Sequence, residues 1–169
     1  MNASDVMTKA VCCCSTNDSL QRAAQIMWEN DCGAVPVVDA ENRVVGMITD
    51  RDICMATYIQ GRPLWEIPVG STMAKHVHGV QETDPIEAVE ALMSRVQVRR
   101  VPVLDGGGQI KGILSMNDLA RHAHRSAGRK TNGLGDDSIV KTLAAISEPR
   151  APARPKEATT KTASHPLSA

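Results

Sequence analysis

Apolar positions along this chain fall first at helical spacing, then in short β-branched runs, and the whole sequence of patterns is then repeated. In residues 15–33, STNDSLQRAAQIMWENDCG, the side chains of Leu20, Ala23, Ala24 and Met27 share one helical face, with capping residues at 16–18 and Gly33 as a stop. A helix is predicted there. A second copy opens on Thr83-Asp84-Pro85 and carries Ile86, Val89 and Met93 at the same spacing. Each helix is followed by two β-branched runs: AVPVVD and RVVGMIT joined at residues 40–42, then VPVLD and IKGILS joined by three glycines at 106–108. Each pair reads as a hairpin. Helical character returns in DRDICMATYIQG and MNDLARHAHRSAG.

Sliding the chain against itself by 66 residues aligns Met7 with Met73, Asp18 with Asp84, and Gly46, Thr49 and Asp52 with Gly112, Ser115 and Asp118, without a gap. An internal repeat of this kind is one supersecondary unit used twice, each copy covering a face that the other leaves open. The predicted organisation is a first repeat over 1–62, a second over 63–128 that includes the apolar connector GRPLWEIPVG, and a remainder over 129–169. Leu64, Trp65 and Ile67 of the connector are expected to pack on the module. The remainder reads as loop, a short helix over 138–147 and a disordered tail biased to Pro, Ala, Lys and Thr.

Composition narrows the function classes. The chain has 169 residues, enough for a real core, and 19 basic against 19 acidic side chains, so its net field gives no reason to expect nucleic acid as a partner. No apolar run approaches the roughly 20 residues that span a bilayer, and the polar start MNASD is not a signal peptide. A soluble cytoplasmic protein without a membrane partner is expected. Aromatics are confined to Trp28, Tyr58 and Trp65, so a flat ligand must lie mainly between aliphatic side chains. Five cysteines, three of them consecutive at 12–14, do not make a secreted disulfide framework. The run could bind a soft metal or sense oxidation, with His76 and His78 in the equivalent stretch of copy two, but no C-x-x-C completes a tetrahedral site and no metal is expected.

Thr49-x-x-Asp52 and Ser115-x-x-Asp118 each match a helix-start signature, a hydroxyl at the cap and a carboxylate three residues on. The same geometry brings backbone donors and the positive end of a helix dipole to one place, which suits phosphate or a polar sugar. The two readings are compatible, and a cavity beside the strand decides between them.

The order DVMTKAV, AVPVVD, VGMITDRD and then STMAKHV, RVPVLD, KGILSMND resembles the CBS domain, named from cystathionine β-synthase, and the pair resembles the tandem Bateman module in its stand-alone bacterial form. The resemblance implies an α/β fold of two βαββα units related by pseudo-two-fold symmetry. It implies regulatory clefts for adenosine ligands, AMP first and ADP, ATP, NAD or S-adenosylmethionine as alternatives, and assembly as a homodimer that reports to an effector protein. Carried over, Thr49 and Asp52 serve one site and Ser115 and Asp118 the other. Backbone at 8–11, with Lys9 and Val11, and at 74–77, with Lys75 and Val77, faces the base edge, Thr8 opening the first of these stretches. By the same resemblance Val35, Met47, Val101 and Ile113 sandwich the purine, although each taken singly is more readily assigned to the core. Arg51 against Asn117, and Arg100 against Ala34, make the copies unequal; an arginine at either place can hold phosphate bidentately, and the commoner role of an exposed arginine, solvating a surface, stays open.

The basic end of copy two, with Arg121, His122, His124, Arg125, Arg129 and Lys130, reads as a solvated helix terminus. No G-x-S-x-G, H-E-x-x-H or Walker A stretch is present, and no turnover is expected. Two further readings stay open: a ligand-independent interaction scaffold, and a thiol or metal sensor built on Cys12, Cys13 and Cys14.

Overall fold

A computed structural model describes residues 1–126 and 136–148. The first half runs α1 (Ala3–Val6), β1 (Cys14–Ser15), α2 (Leu20–Glu29), β2 (Ala34–Val38), β3 (Val44–Thr49) and α3 (Asp50–Gln60). The second runs β4 (Val80–Gln81), α4 (Ile86–Val96), β5 (Arg100–Leu104), β6 (Ile110–Ser115) and α5 (Met116–Ser126), followed by α6 (Asp136–Ser147). Each half is a three-stranded sheet with its first two strands parallel and its last two antiparallel, so the two βαββα units are present as expected. The predicted disordered tail beyond 148 and the basic residues Arg129 and Lys130 lie outside the described residues.

The amphipathic helices bury the faces their spacing predicts. Leu20, Ala23, Ile26 and Met27 of α2 meet Val35, Val37 and Ile48 of the first sheet, and Ile86, Val89 and Met93 of α4 meet Val101, Val103 and Leu114 of the second. The stop after α2 differs from the prediction. The helix ends at Asn30 and Asp31 rather than at Gly33: the Asn30 side chain caps the Ile26 carbonyl at 2.8 Å, and Asp31 takes the left-handed conformation at φ 47°. Asn and Asp tolerate that conformation because their short polar side chains bond locally. The connector also differs in one place. A 3-10 turn over Leu64–Glu66 directs Leu64 and Ile67 into the first core and leaves Trp65 67 % exposed.

Contacts between the halves come in pairs that obey the 66-residue offset. Thr8 bridges Ile113 and Ala74 bridges Met47; Asn2 bridges Pro85 and Pro68 bridges Ser19; Arg43 bridges its own counterpart Gln109. Val44 N donates to the Gly108 carbonyl at 3.0 Å, and Ile110 N donates to the Asn42 carbonyl at 3.2 Å. Reciprocal pairs of this kind define a two-fold axis passing between Arg43 and Gln109. The stretch that opens each repeat has therefore crossed to the other repeat's sheet. Ala3, Val6 and Met7 pack with the second core, while Ile67, Val69 and Met73 pack with the first. The recurring glycine follows from this crossing. A side chain at Gly46 would meet the Met73 sulfur at 2.5 Å and the Ala74 carbonyl at 3.0 Å, and one at Gly112 would collide with Met7.

Helix α6 lies across α4 and α5, with Ile139 and Ile146 joined to the second core. Glu90 is buried beneath it, its carboxylate 2.6 Å from Ser138 Oγ. Burial holds the Glu90 carboxyl above the ordinary glutamate range, with the Ser138 hydrogen bond opposing and the Glu87 charge assisting. Because the folded form binds the proton more readily, its favourable contribution is complete below the ordinary pKa and is lost as pH rises through the raised one. Replacing Glu90 by Gln is therefore expected to raise the thermal midpoint at neutral pH by roughly 2–4 °C, the shift that about 1 kcal/mol makes in a chain of this size, and to change little near pH 4. Melting curves at the two pH values test this.

Candidate ligand cleft

The junction of β3 and α3 is built by Thr49 and Asp52 as a reciprocal cap. Thr49 Oγ1 accepts from Asp52 N at 3.2 Å, while Asp52 Oδ2 accepts from Thr49 N at 3.0 Å and from Thr49 Oγ1 at 2.7 Å. Ser115 and Asp118 repeat the arrangement between β6 and α5, at 2.8 Å from Ser115 N and 2.6 Å from Ser115 Oγ. The bland reading of the motif as a helix start is thus correct in both copies.

A cleft of about 1630 Å³ opens beside the caps. On the first side it is lined by Met47, Thr49, Arg51, Asp52 and Ala74, and on the second by Arg99, Arg100, Ser115 and Asn117. Its charge is divided. Asp31, Asp50 and Asp52 stand with one arginine on the first side, and two arginines face them from the second. Gly33 permits this crowding, because a side chain there would meet the Asp50 carboxylate at 2.9 Å. Such a cleft offers carboxylate acceptors for hydroxyl groups and guanidinium donors for phosphate within one volume.

Other candidate residues are placed elsewhere. Val35 and Val101 are fully buried in the two cores and do not line the cleft, because side chains alternate along a strand and theirs face the helices. Lys75 and Val77 are also outside the lining, whereas Ala74, His76 and His78, at the alternate positions of the same extended stretch, are in it. Period-two spacing was the signal that separates the two sets. His76 and His78 meet edge to face with ring centroids 4.6 Å apart. Lys9, Val11 and Ile113 lie outside the cleft lining, and Thr8 sits over Asp118 with its Oγ1 3.4 Å from Oδ1.

The consecutive cysteines enter three environments. Cys14 is buried in the first core, Cys13 is half-buried and Cys12 is exposed, its sulfur 3.3 Å from Asn30 Oδ1. Burial, assisted by Cys12, pushes the Cys13 thiol up to about 11; burial, assisted by Asp18 and Cys13, pushes Cys14 up to about 12. Both are therefore neutral thiols at physiological pH, poor as nucleophiles and as metal ligands. A thiol-alkylating reagent is expected to label exposed Cys12 and Cys54 on the folded protein and to reach Cys13 and Cys14 only after denaturation, as read by mass spectrometry of digests.

Residues 3–58 and 69–125 match the CBS domain, and the chain belongs to this family as a tandem pair. It is 34% identical over 137 residues to the CBS domain-containing protein YhcV of Bacillus subtilis, covering 80% of this chain and 96% of that one. It is 32% identical over 149 residues to hypoxic response protein 1 of Mycobacterium tuberculosis, covering 88% and 96%. A crystal structure of hypoxic response protein I with two coordinated zinc ions superposes with a TM-score of 0.66 at 34% identity, covering 72% of this chain and 98% of that chain. The CBS domain pair of protein MJ0100, in complex with 5'-methylthioadenosine and S-adenosyl-L-methionine, superposes with a TM-score of 0.67 at 25% identity, covering 75% and 98%.

Proposed function

We propose that the protein is a regulatory module that binds an adenosine ligand in this cleft and transmits its occupancy through a change of shape or assembly. The observation that carries the reading is the Thr49–Asp52 cap opening on a cleft whose far side holds Arg99 and Arg100. The Asp52 carboxylate takes the ribose hydroxyl pair, the start of α3 and the arginines take phosphate, and Met47 lies against the base. AMP is the leading ligand, with ADP, ATP, NAD and S-adenosylmethionine as alternatives; the adenosine compounds bound by the MJ0100 pair support this class. No residue in the cleft pairs a nucleophile with an orienting base, so the proposal contains no turnover. Ligand bridging the two halves across the axis favours one of their arrangements, which an effector protein in the cytoplasm reads.

Assembly follows the helical faces. On the first half α2 and α3 leave an open apolar surface that displays Trp28 at 89 %, Tyr58 at 82 % and Ile59 at 72 % exposure. A homodimer joined through the two open faces buries these side chains. Light scattering is expected to give twice the chain mass, and Tyr58→Glu with Ile59→Glu a single chain.

Zinc is a second reading, supported by the two zinc ions of the hypoxic response protein structure and by the His76 and His78 pair. Two imidazoles do not complete a tetrahedral shell, and no group of three or more His, Cys, Asp or Glu side chains able to hold a metal is found among the described residues. The residues present therefore do not fit a closed zinc site. Thermal unfolding of stripped protein against adenosine compounds and against zinc separates the readings. AMP at a hundred times its dissociation constant should add about 2.7 kcal/mol of stability. A midpoint unmoved by every adenosine compound overturns the nucleotide reading and favours the scaffold.

A further inference from the structure

We infer that the two caps are unequal, the Asp52 copy accepting a ligand while the Asp118 copy is already occupied by side chains of this chain. This rests on the adenosine reading of the cleft and says which half of it is used. Asp118 is 7 % exposed and accepts from four donors: Ser115 N, Ser115 Oγ, Thr8 Oγ1 and the guanidinium of Arg121, which is ion-paired to the same Oδ1 that Thr8 approaches. Both carboxylate oxygens are engaged. Among the described residues Asp52 accepts only from its own cap, and both of those bonds fall on Oδ2. Its Oδ1 accepts no hydrogen bond from any described residue and remains available to a vicinal diol.

The difference is written in the repeat. Counting back 66 residues from Arg121 gives Met55, and counting forward 66 from Thr8 gives Ala74, neither of which can donate a hydrogen bond from its side chain. The two residues that cover Asp118 are thus the two that copy one lacks. Asp52 and Ala74 line the cleft, and Asp118 and Thr8 do not. A sugar approaching Asp118 must displace a charged donor and a hydroxyl before it gains its own hydrogen bonds, which weakens that copy by about tenfold or more relative to the first.

Isothermal titration with AMP on the full chain tests this. One nucleotide per chain is expected in the natural sequence, none at the same concentrations in Asp52→Asn, and one in Asp118→Asn. Substituting Arg121→Met together with Thr8→Ala, the residues of copy one, is expected to raise the stoichiometry to two. Circular dichroism establishes that each variant is folded, and Arg121→Met alone, an exposed position, serves should Thr8→Ala disturb the β6 pairing. Two equal sites in the natural sequence, or binding lost in Asp118→Asn and kept in Asp52→Asn, overturns the inference and leaves the adenosine reading standing. Absence of binding by AMP and by every other adenosine compound overturns both.

Discussion

Removing residues 1–8 is expected to destabilise the protein by about 4–6 kcal/mol, a large fraction of the roughly 5–15 kcal/mol that holds a domain folded. The loss falls on the half that is distant in sequence. Met7 and Val6 pack against the second core and Ala3 is fully buried within it; losing two such partly buried side chains and a methyl removes about 3 kcal/mol of apolar burial. Ala3 N also donates to the Asp84 carbonyl at 2.9 Å, Ser4 N to the Glu82 carbonyl at 3.1 Å, and Thr8 exchanges two bonds with Ile113 at 2.9 Å. These are worth about 1 kcal/mol each at most, and water recovers part of them. Denaturant unfolding of full and shortened chains gives the comparison. An unchanged midpoint would mean that the crossed segment contributes nothing, which its burial contradicts.

Asp52→Ala should have the largest effect on ligand response. Without ligand it loses one half of the α3 cap, a cost of about 1 kcal/mol. With AMP at a hundred times the dissociation constant measured for the natural chain, the increment of about 2.7 kcal/mol should vanish. Asp118→Ala should behave in the opposite way. It removes the ion-pair partner of Arg121 and breaks the α5 cap, so the unliganded midpoint falls, but the increment from AMP persists. Melting both variants with and without AMP separates cap from ligand contact, because a residue that only caps lowers both curves equally. Equal lowering of both Asp52→Ala curves would reduce its carboxylate to a helix start.

The repeat, both amphipathic helices and both hairpins are legible in the sequence because each depends on local periodicity. Leu20, Ala23 and Met27 need no distant partner to declare a helical face, and Val35 and Val37 declare a strand in the same way. The crossing of Met7 to Gly112 and of Met73 to Gly46 is not legible, since a conformation at one glycine says nothing about which methionine covers it. Trp65 illustrates the same limit at small scale. Its apolar character points inward, but the turn over Leu64–Glu66 gives the inward positions to Leu64 and Ile67. At the cleft, residue type pointed to Thr49, Asp52, Arg51 and Arg100, all of which line it, whereas Val35 and Val101 share their residue type with the core and are found there. Arg121 was readable only as part of a basic helix end. Its pairing with Asp118 needs the three-residue helical step and the burial of the carboxylate together.

The crossed opening segment also sets an order of events during synthesis. The first core is complete once Met73 has left the ribosome, because every one of its members lies between Cys14 and that residue. The helix at Ala3–Val6 is the first to emerge and among the last to find its place, since Leu114 and Leu119, with which it shares a core, come more than a hundred residues later. A nascent chain stalled between those points carries one finished half together with Ala3, Val6 and Met7 still without their core, and these are open to a chaperone or a protease.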